Sequence, residues 1–112
     1  MPVSGEKRRE ILARYRGSKK YDRWWREYQW RTKYGIDLTV EQYDAMYRAQ
    51  SGRCAICRRR QAGRRLSVDH SHKTKRLRAL LCSRCNHAIG LLRDDPSIVR
   101  SAADYLEEHL AD

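Results

Sequence analysis

Four cysteines stand as Cys54-Ala-Ile-Cys57 and Cys82-Ser-Arg-Cys85, a C-x2-C-x24-C-x2-C pattern. Each pair suits a tight turn that aims two thiolates at one ion, and four thiolates complete the tetrahedron that structural Zn²⁺ prefers. In a reducing cytosol this pairing is better explained by a metal than by disulfides. A closed four-thiolate site has no open position for a substrate. The expected zinc therefore folds the chain and leaves the nearby histidines available for other work.

Between the cysteine pairs lies LSVDHSHKTKRLRALLCSRCN, Leu66 to Asn86, within a region where residues 53–93 hold 12 Lys/Arg and a single acid, Asp69. Asp69 follows the alternating apolar residues Leu66 and Val68, which places it at the end of the first strand of a hairpin. Asn86 directly follows Cys85, at the start of a helix that zinc would fix against that hairpin. One hard oxygen from each can share a Mg²⁺ or Mn²⁺ ion, which completes its octahedron with waters and phosphate oxygens. Such an ion neutralises a scissile phosphate and stabilises a departing 3′-oxygen. His70, with an ordinary pKa of about 6.5, is suited to take the proton of an attacking water. Plainer roles exist for each: Asp69 offsetting local charge, His70 satisfied within the hairpin, Asn86 capping the helix.

The formal charge of +11 over 112 residues points to a polyanionic partner, with nucleic acid leading. Arg58, Arg59, Arg60, Arg64, Arg65, Lys73, Lys75, Arg76, Arg78 and Arg84 flank the expected site. They are read as DNA phosphate contacts, giving salt-sensitive and largely sequence-independent binding. His87 sits about 100° around a helix from Asn86, which suits a surface or phosphate-facing residue better than a ligand.

The elements that must position these groups follow from periodicity. One α+β domain is expected over 1–112, with a basic aromatic helical segment at 1–34, a zinc-knuckle core at 35–93 and an acidic helix at 94–112. The first segment breaks at Gly17-Ser18 and carries a helix-spaced stripe of Tyr21, Trp24, Trp25 and Tyr28, expected to bury in a core or a homodimer interface; a base-stacking platform is the alternative. Thr39 and Gln42 form a capping-box pattern, and Gly52 is expected to end the helix that follows. After the hairpin, helix is expected to resume near Cys85. Asp95 and Pro96 suit a first helical turn, after which Ile98, Val99, Ala102, Leu106 and Leu110 share one face expected to pack as an acidic cap. No apolar run approaches membrane-spanning length and the start, MPVSGEKRRE, lacks a secretory core, so the cytoplasm is the expected location.

VDHSHKTKRLRALLCSRCNHAIG, with the upstream YGIDLTVEQYDAMYRAQSGRCAIC, resembles the phage recombination endonuclease VII family, a branch of the HNH or ββα-metal nucleases. The resemblance runs from Tyr34 to Leu92. It implies a small zinc-stabilised ββα-metal core with flanking N-terminal and C-terminal helices, zinc at Cys54, Cys57, Cys82 and Cys85, Mg²⁺ at Asp69 and Asn86, and His70 as general base. It further implies that His72 contacts substrate phosphate or supports the site, and that products carry 5′-phosphate and 3′-hydroxyl ends in the host cytoplasm. Ser71 stands where an acid is common in the family, and Lys75 and Ala79 replace frequent glycines around the hairpin return. The junction-resolving member has a further C-terminal region, so Holliday-junction resolution is not part of the expectation. A DNA endonuclease is thus expected. The alternatives are a non-catalytic zinc DNA-binding or packaging accessory protein, and an interaction module acting through the aromatic stripe.

Overall fold

A computed structural model describes residues 4–15 and 18–111. The elements, in order, are α1 (Gly5–Tyr15), α2 (Lys19–Tyr34), α3 (Val40–Ala49), β1 (Ser67–His70), β2 (Leu77–Leu81), α4 (Ser83–Leu91) and α5 (Pro96–Glu108), an α+β chain. It divides into two compact units, Met1–Ala45 and Met46–Asp112. No helix among the described residues is long and apolar enough to cross a membrane.

In the first unit, Ser18 caps α2 by accepting from the Tyr21 amide at 3.1 Å. The other half of the expected break, Gly17, lies outside the described residues. Gly35 ends α2 in the left-handed region at φ 66°, where glycine avoids the Cβ penalty, and its N–H donates to the Arg31 carbonyl. The capping box forms as expected. The Thr39 amide donates to Gln42 Oε1 at 2.9 Å, and the Gln42 amide donates to Thr39 Oγ1 at 3.1 Å. Glu27 adds a third bond, accepting from the Val40 amide at 2.8 Å.

Of the two coverings expected for the aromatic stripe, burial in a core is not what the chain shows. Trp24, Trp25 and Tyr28 remain 46, 41 and 39 % exposed, whereas Trp30 is buried. The packed edge of α2 is instead the Arg26, Trp30 row, with the Arg26 guanidinium ion-paired to the half-exposed Asp22. Trp30 stacks on Tyr43 of α3 at 5.4 Å with planes 16° apart, and the Arg26 guanidinium lies 4.8 Å from the Tyr43 ring and 5.4 Å from the Trp30 ring. Both rows obey helical spacing, so periodicity alone does not choose between them.

In the second unit, α3 stops at Ala49, three residues before Gly52, because Ser51 already adopts a left-handed φ of 53°. The Gln50 amide still donates to the Met46 carbonyl, while its side chain pairs with β2: its Nε2 donates to the Leu80 carbonyl at 2.9 Å and its Oε1 accepts from the Leu80 amide at 2.9 Å. The Ala55 amide also donates to the Leu80 carbonyl, at 3.1 Å, tying the first cysteine loop to the same point. β1 and β2 pair antiparallel with Ser67 opposite Leu81, Val68 opposite Leu80 and His70 opposite Leu77. Between the last two pairs, Asp69 alone opposes both Arg78 and Ala79, a β-bulge of the kind that re-aims side chains. Leu66, Val68, Leu80 and Leu81 are buried, and α4 packs on both strands.

α5 starts as expected, with Asp95 Oδ1 accepting from the Ser97 amide at 2.9 Å and Pro96 in the first turn. Its apolar face does not pack as an acidic cap: Leu106 and Leu110 are 64 and 80 % exposed. A helical period identifies a face and not whether a partner covers it.

Gln50 bonds both polar groups of a residue with no exposed surface. Gln50→Ala is expected to lower unfolding free energy by about 1–3 kcal/mol, the cost of stranding a buried amide, as measured by urea denaturation.

Candidate metal centre and cationic groove

The four cysteines converge. Their Sγ atoms all lie within 4.8 Å of one another, and Cys57 Sγ is 3.8 Å from Cys82 Sγ. A tetrahedron with zinc–sulfur bonds of about 2.3 Å has edges of about 3.8 Å, so the donor set and its spacing fit Zn²⁺. Local geometry makes each pair a knuckle. The Ile56 amide donates to Cys54 Sγ and the Cys85 amide to Cys82 Sγ, both at 3.4 Å. Arg58, left-handed at φ 64°, closes the first turn by donating its amide to the Cys54 carbonyl. Cys82 is also the N-cap of α4, so the same sulfur that faces the centre starts the helix.

The electrostatics call for a cation. Burial pushes the Cys54 thiol up, but amides of Cys82, Cys57 and Ile56 more than offset this and lower it to about 6. Burial and the neighbouring sulfurs push Cys85 up to about 12. One sulfur ionises readily and another resists joining it. A divalent ion at the centre removes that conflict.

Asp69 and His70 are buried at the end of β1. Both Asp69 oxygens are engaged by Arg78, with Nε donating to Oδ2 at 2.6 Å and Nη2 donating to Oδ1 at 3.0 Å. Arg78 Nη2 also reaches Asp94 Oδ2 at 3.3 Å. The charge-offsetting role read for Asp69 is thus present, and Arg78, expected among the phosphate contacts, is committed to two carboxylates. The bulge that sets Arg78 opposite Asp69 brings this fork within reach.

The His70 ring centroid lies 5.0 Å from that of His72, which stands on the exposed turn. Burial lowers the His70 pKa below its ordinary value, with His72, Lys75 and Arg78 adding to the effect and Asp69 opposing it. The imidazole is therefore neutral at neutral pH and able to accept a proton. The hairpin turn carries a non-glycine residue in the left-handed region. Lys75 takes φ 62° itself, and its amide donates to the Ser71 carbonyl at 2.9 Å.

Asn86 is half-buried in the first turns of α4. With Cys82 as the N-cap, the capping role considered for Asn86 is excluded. It lines an open groove of about 700 Å³ together with Arg64, Arg65, Ser67, Ser83, Arg84 and His87. Three guanidinium groups thus share one concavity with Asn86, and Asp69 and His70 are not among its lining. Sequence reading passes over Gln61, which builds this groove. Gln61 Oε1 accepts from the Ser83 amide at 2.8 Å and its Nε2 donates to the Arg64 and Arg65 carbonyls at 3.2 and 2.9 Å. Its side-chain amide ties the basic loop to the positive end of α4. Arg58, Arg59, Arg60, Lys73, Lys75 and Arg76 are all exposed.

A paired cysteine cluster that could bind zinc, a bulged hairpin with a buried Asp-His pair, and a cationic groove characterise this α+β protein. Its sequence relationships are specific. The chain belongs to the recombination endonuclease VII family, whose family model matches residues 27–108. It is similar to the Gene 59 protein of Mycobacterium phage D29, 47 % identical over 85 residues covering 70 % of this chain and 50 % of that protein. It is also similar to the Gene 59 protein of Mycobacterium phage L5, 43 % identical over 83 residues covering 69 % and 49 %. The chain spans about half the length of these curated relatives. No solved structure gives a significant match.

The Asp69–Arg78 fork generates a double-mutant cycle. Arg78→Met strands a buried carboxylate and is expected to cost about 2 kcal/mol, discounted from the value for a fully buried pair because Arg78 is partly exposed. In the Asp69→Asn background the same change is expected to cost at least about 1 kcal/mol less, read by thermal and urea unfolding of the four proteins.

Proposed function

We propose that this chain is a divalent-metal-dependent DNA endonuclease of the HNH type, with β1, β2 and α4 as its ββα-metal core and zinc at the four cysteines. The observation that carries the reading is a buried, neutral His70 beside Asp69 on β1, opposite a bulge in β2, within a family match that spans this whole core. Asp69 and Asn86 would hold Mg²⁺ or Mn²⁺. Their oxygens are the hard donors such ions take, and a carboxylate has about four lone-pair sites, of which Arg78 occupies two. When bound, the ion supplies charge neutralisation at the scissile phosphate and the departing oxygen.

His70 accepts a proton from water as the water oxygen attacks phosphorus, the bond from phosphorus to the 3′-oxygen breaks, and the departing 3′-oxygen takes a proton from solvent. Products then carry 5′-phosphate and 3′-hydroxyl ends. His72 supports the imidazole or meets a substrate phosphate. Arg64, Arg65 and Arg84 hold the DNA backbone in the groove, joined by the exposed Arg58, Arg59, Arg60, Lys73, Lys75 and Arg76. Arg78 positions the Asp69 carboxylate. Host cytoplasm is the expected site of action. The second reading, a non-catalytic DNA-binding accessory, draws on the engagement of both Asp69 oxygens by Arg78.

One assay separates the two. Zinc-loaded protein is expected to nick or linearise supercoiled plasmid only with added Mg²⁺ or Mn²⁺. His70→Ala should lose at least about 100-fold in rate, the scale of general-base catalysis, while retaining DNA affinity. A fully active His70→Ala protein, or no cleavage by folded protein that binds DNA, would overturn the nuclease.

The pH profile offers a further check. Because His70 is depressed in the folded protein, it stays neutral until the pH falls below about 6.5. The acid limb of kcat/KM is therefore expected below that pH, and a limb above it would contradict the base assignment.

A further inference from the structure

We propose that α2 carries a second nucleic-acid site, a platform on which unpaired DNA bases stack against Trp24, Trp25 and Tyr28, with Lys19 and Lys20 meeting the adjoining phosphates. It goes beyond the nuclease reading and does not rest on it, since every residue lies in the Met1–Ala45 unit.

Three large rings are left open at consecutive positions of one helix face. They are organised with respect to one another. Trp24 and Tyr28 stack at 5.1 Å with planes 18° apart, and Trp25 and Tyr28 at 6.0 Å with planes 19° apart. The helix already packs Arg26 and Trp30 against Tyr43 of α3, so the open rings are not needed to hold α3. Trp25 and Tyr21 also wall a groove of about 690 Å³ with Lys19, Lys20, Asp22 and Arg23, the last ion-paired with Glu41. Flat apolar faces beside ammonium groups are what single-stranded nucleic acid requires. Bases offer π-faces whatever their sequence, and phosphates recur between them.

Other occupants fit less well. Residues 19–34 hold six Lys/Arg against two acids, so a second copy would bring like charge against like. An acidic peptide would satisfy the lysines but leave the ring faces without flat partners. An intact duplex hides its base faces in its own stack, which makes unpaired nucleotides the ligand.

The test uses the full zinc-loaded chain without added Mg²⁺ or Mn²⁺, titrated with a twelve-nucleotide oligothymidylate and with a duplex of equal length. Tryptophan emission is followed. The oligonucleotide is expected to quench emission from the exposed Trp24 and Trp25. The Trp24→Ala/Trp25→Ala protein should bind it at least about tenfold more weakly, with duplex affinity changed by less than about twofold. Trp24→Phe/Trp25→Phe should recover most of the loss because it restores flat rings, and Lys19→Gln/Lys20→Gln should flatten the salt dependence. Retained duplex binding certifies the fold of each variant. Unchanged oligonucleotide affinity in the alanine variant, or equal loss on both DNAs, would overturn the platform. So would sedimentation showing a wild-type dimer that the alanine change dissociates without affecting oligonucleotide affinity. Plasmid cleavage plays no part in these readouts, so failure here and failure of the nuclease reading are distinguishable.

Discussion

Four thiol groups held within 4.8 Å of one another are the constraint on which the second unit depends. Sulfurs this close cannot all ionise unaided, as the divergence of Cys54 towards about 6 and Cys85 towards about 12 expresses. A Zn²⁺ ion bound there would turn that repulsion into attraction, and its binding free energy would become folding free energy. The leverage is large because each ligand belongs to another piece of structure. Cys54 and Cys57 fix a loop whose Ala55 amide reaches Leu80 on β2, and Cys82 starts α4. Loop, hairpin and helix thus meet at one centre, compensating for a small apolar interior made mainly of Leu66, Val68, Leu80 and Leu81.

The hairpin then solves a charge problem. A buried carboxylate needs compensation, and the bulge supplies Arg78 opposite Asp69, with Asp94 sharing the same guanidinium. This network leaves His70 in surroundings that favour its neutral form, since burial and the neighbouring cations outweigh Asp69. Nearby, Gln61 does for the groove what Arg78 does for the acid. Its amide fastens the Arg64–Arg65 backbone to the first turn of α4, so mutually repelling cations converge on one concavity.

Local rules made much of this legible in the sequence. The cysteine spacing announced the convergence of the four thiols, Thr39 and Gln42 announced the capping box, and Asp95-Pro96 announced the start of α5. Each depends on residues within a few positions or on ligand chemistry that tolerates few alternatives. Gln50 and Gln61 were not legible, because their bonds span 30 and 22 residues and nothing local distinguishes a bridging glutamine from a solvated one. The expected core burial of the α2 stripe failed differently. Two rows of that helix fit the same period, and the choice fell to the stacking of Trp30 on Tyr43 under Arg26, a long-range fact. Lys75 shows the converse: standing where the resemblance suggests a glycine, it takes the left-handed conformation itself.

The central claim is that one zinc ion organises loop, hairpin and helix together. Native mass spectrometry paired with amide hydrogen exchange tests it most directly. One Zn²⁺ per chain is expected, and its removal by a chelator should collapse protection at Leu80, Leu81 and the α4 amides in a single step. A chain without zinc as purified, or a chelated chain in which those amides stay protected, would contradict it.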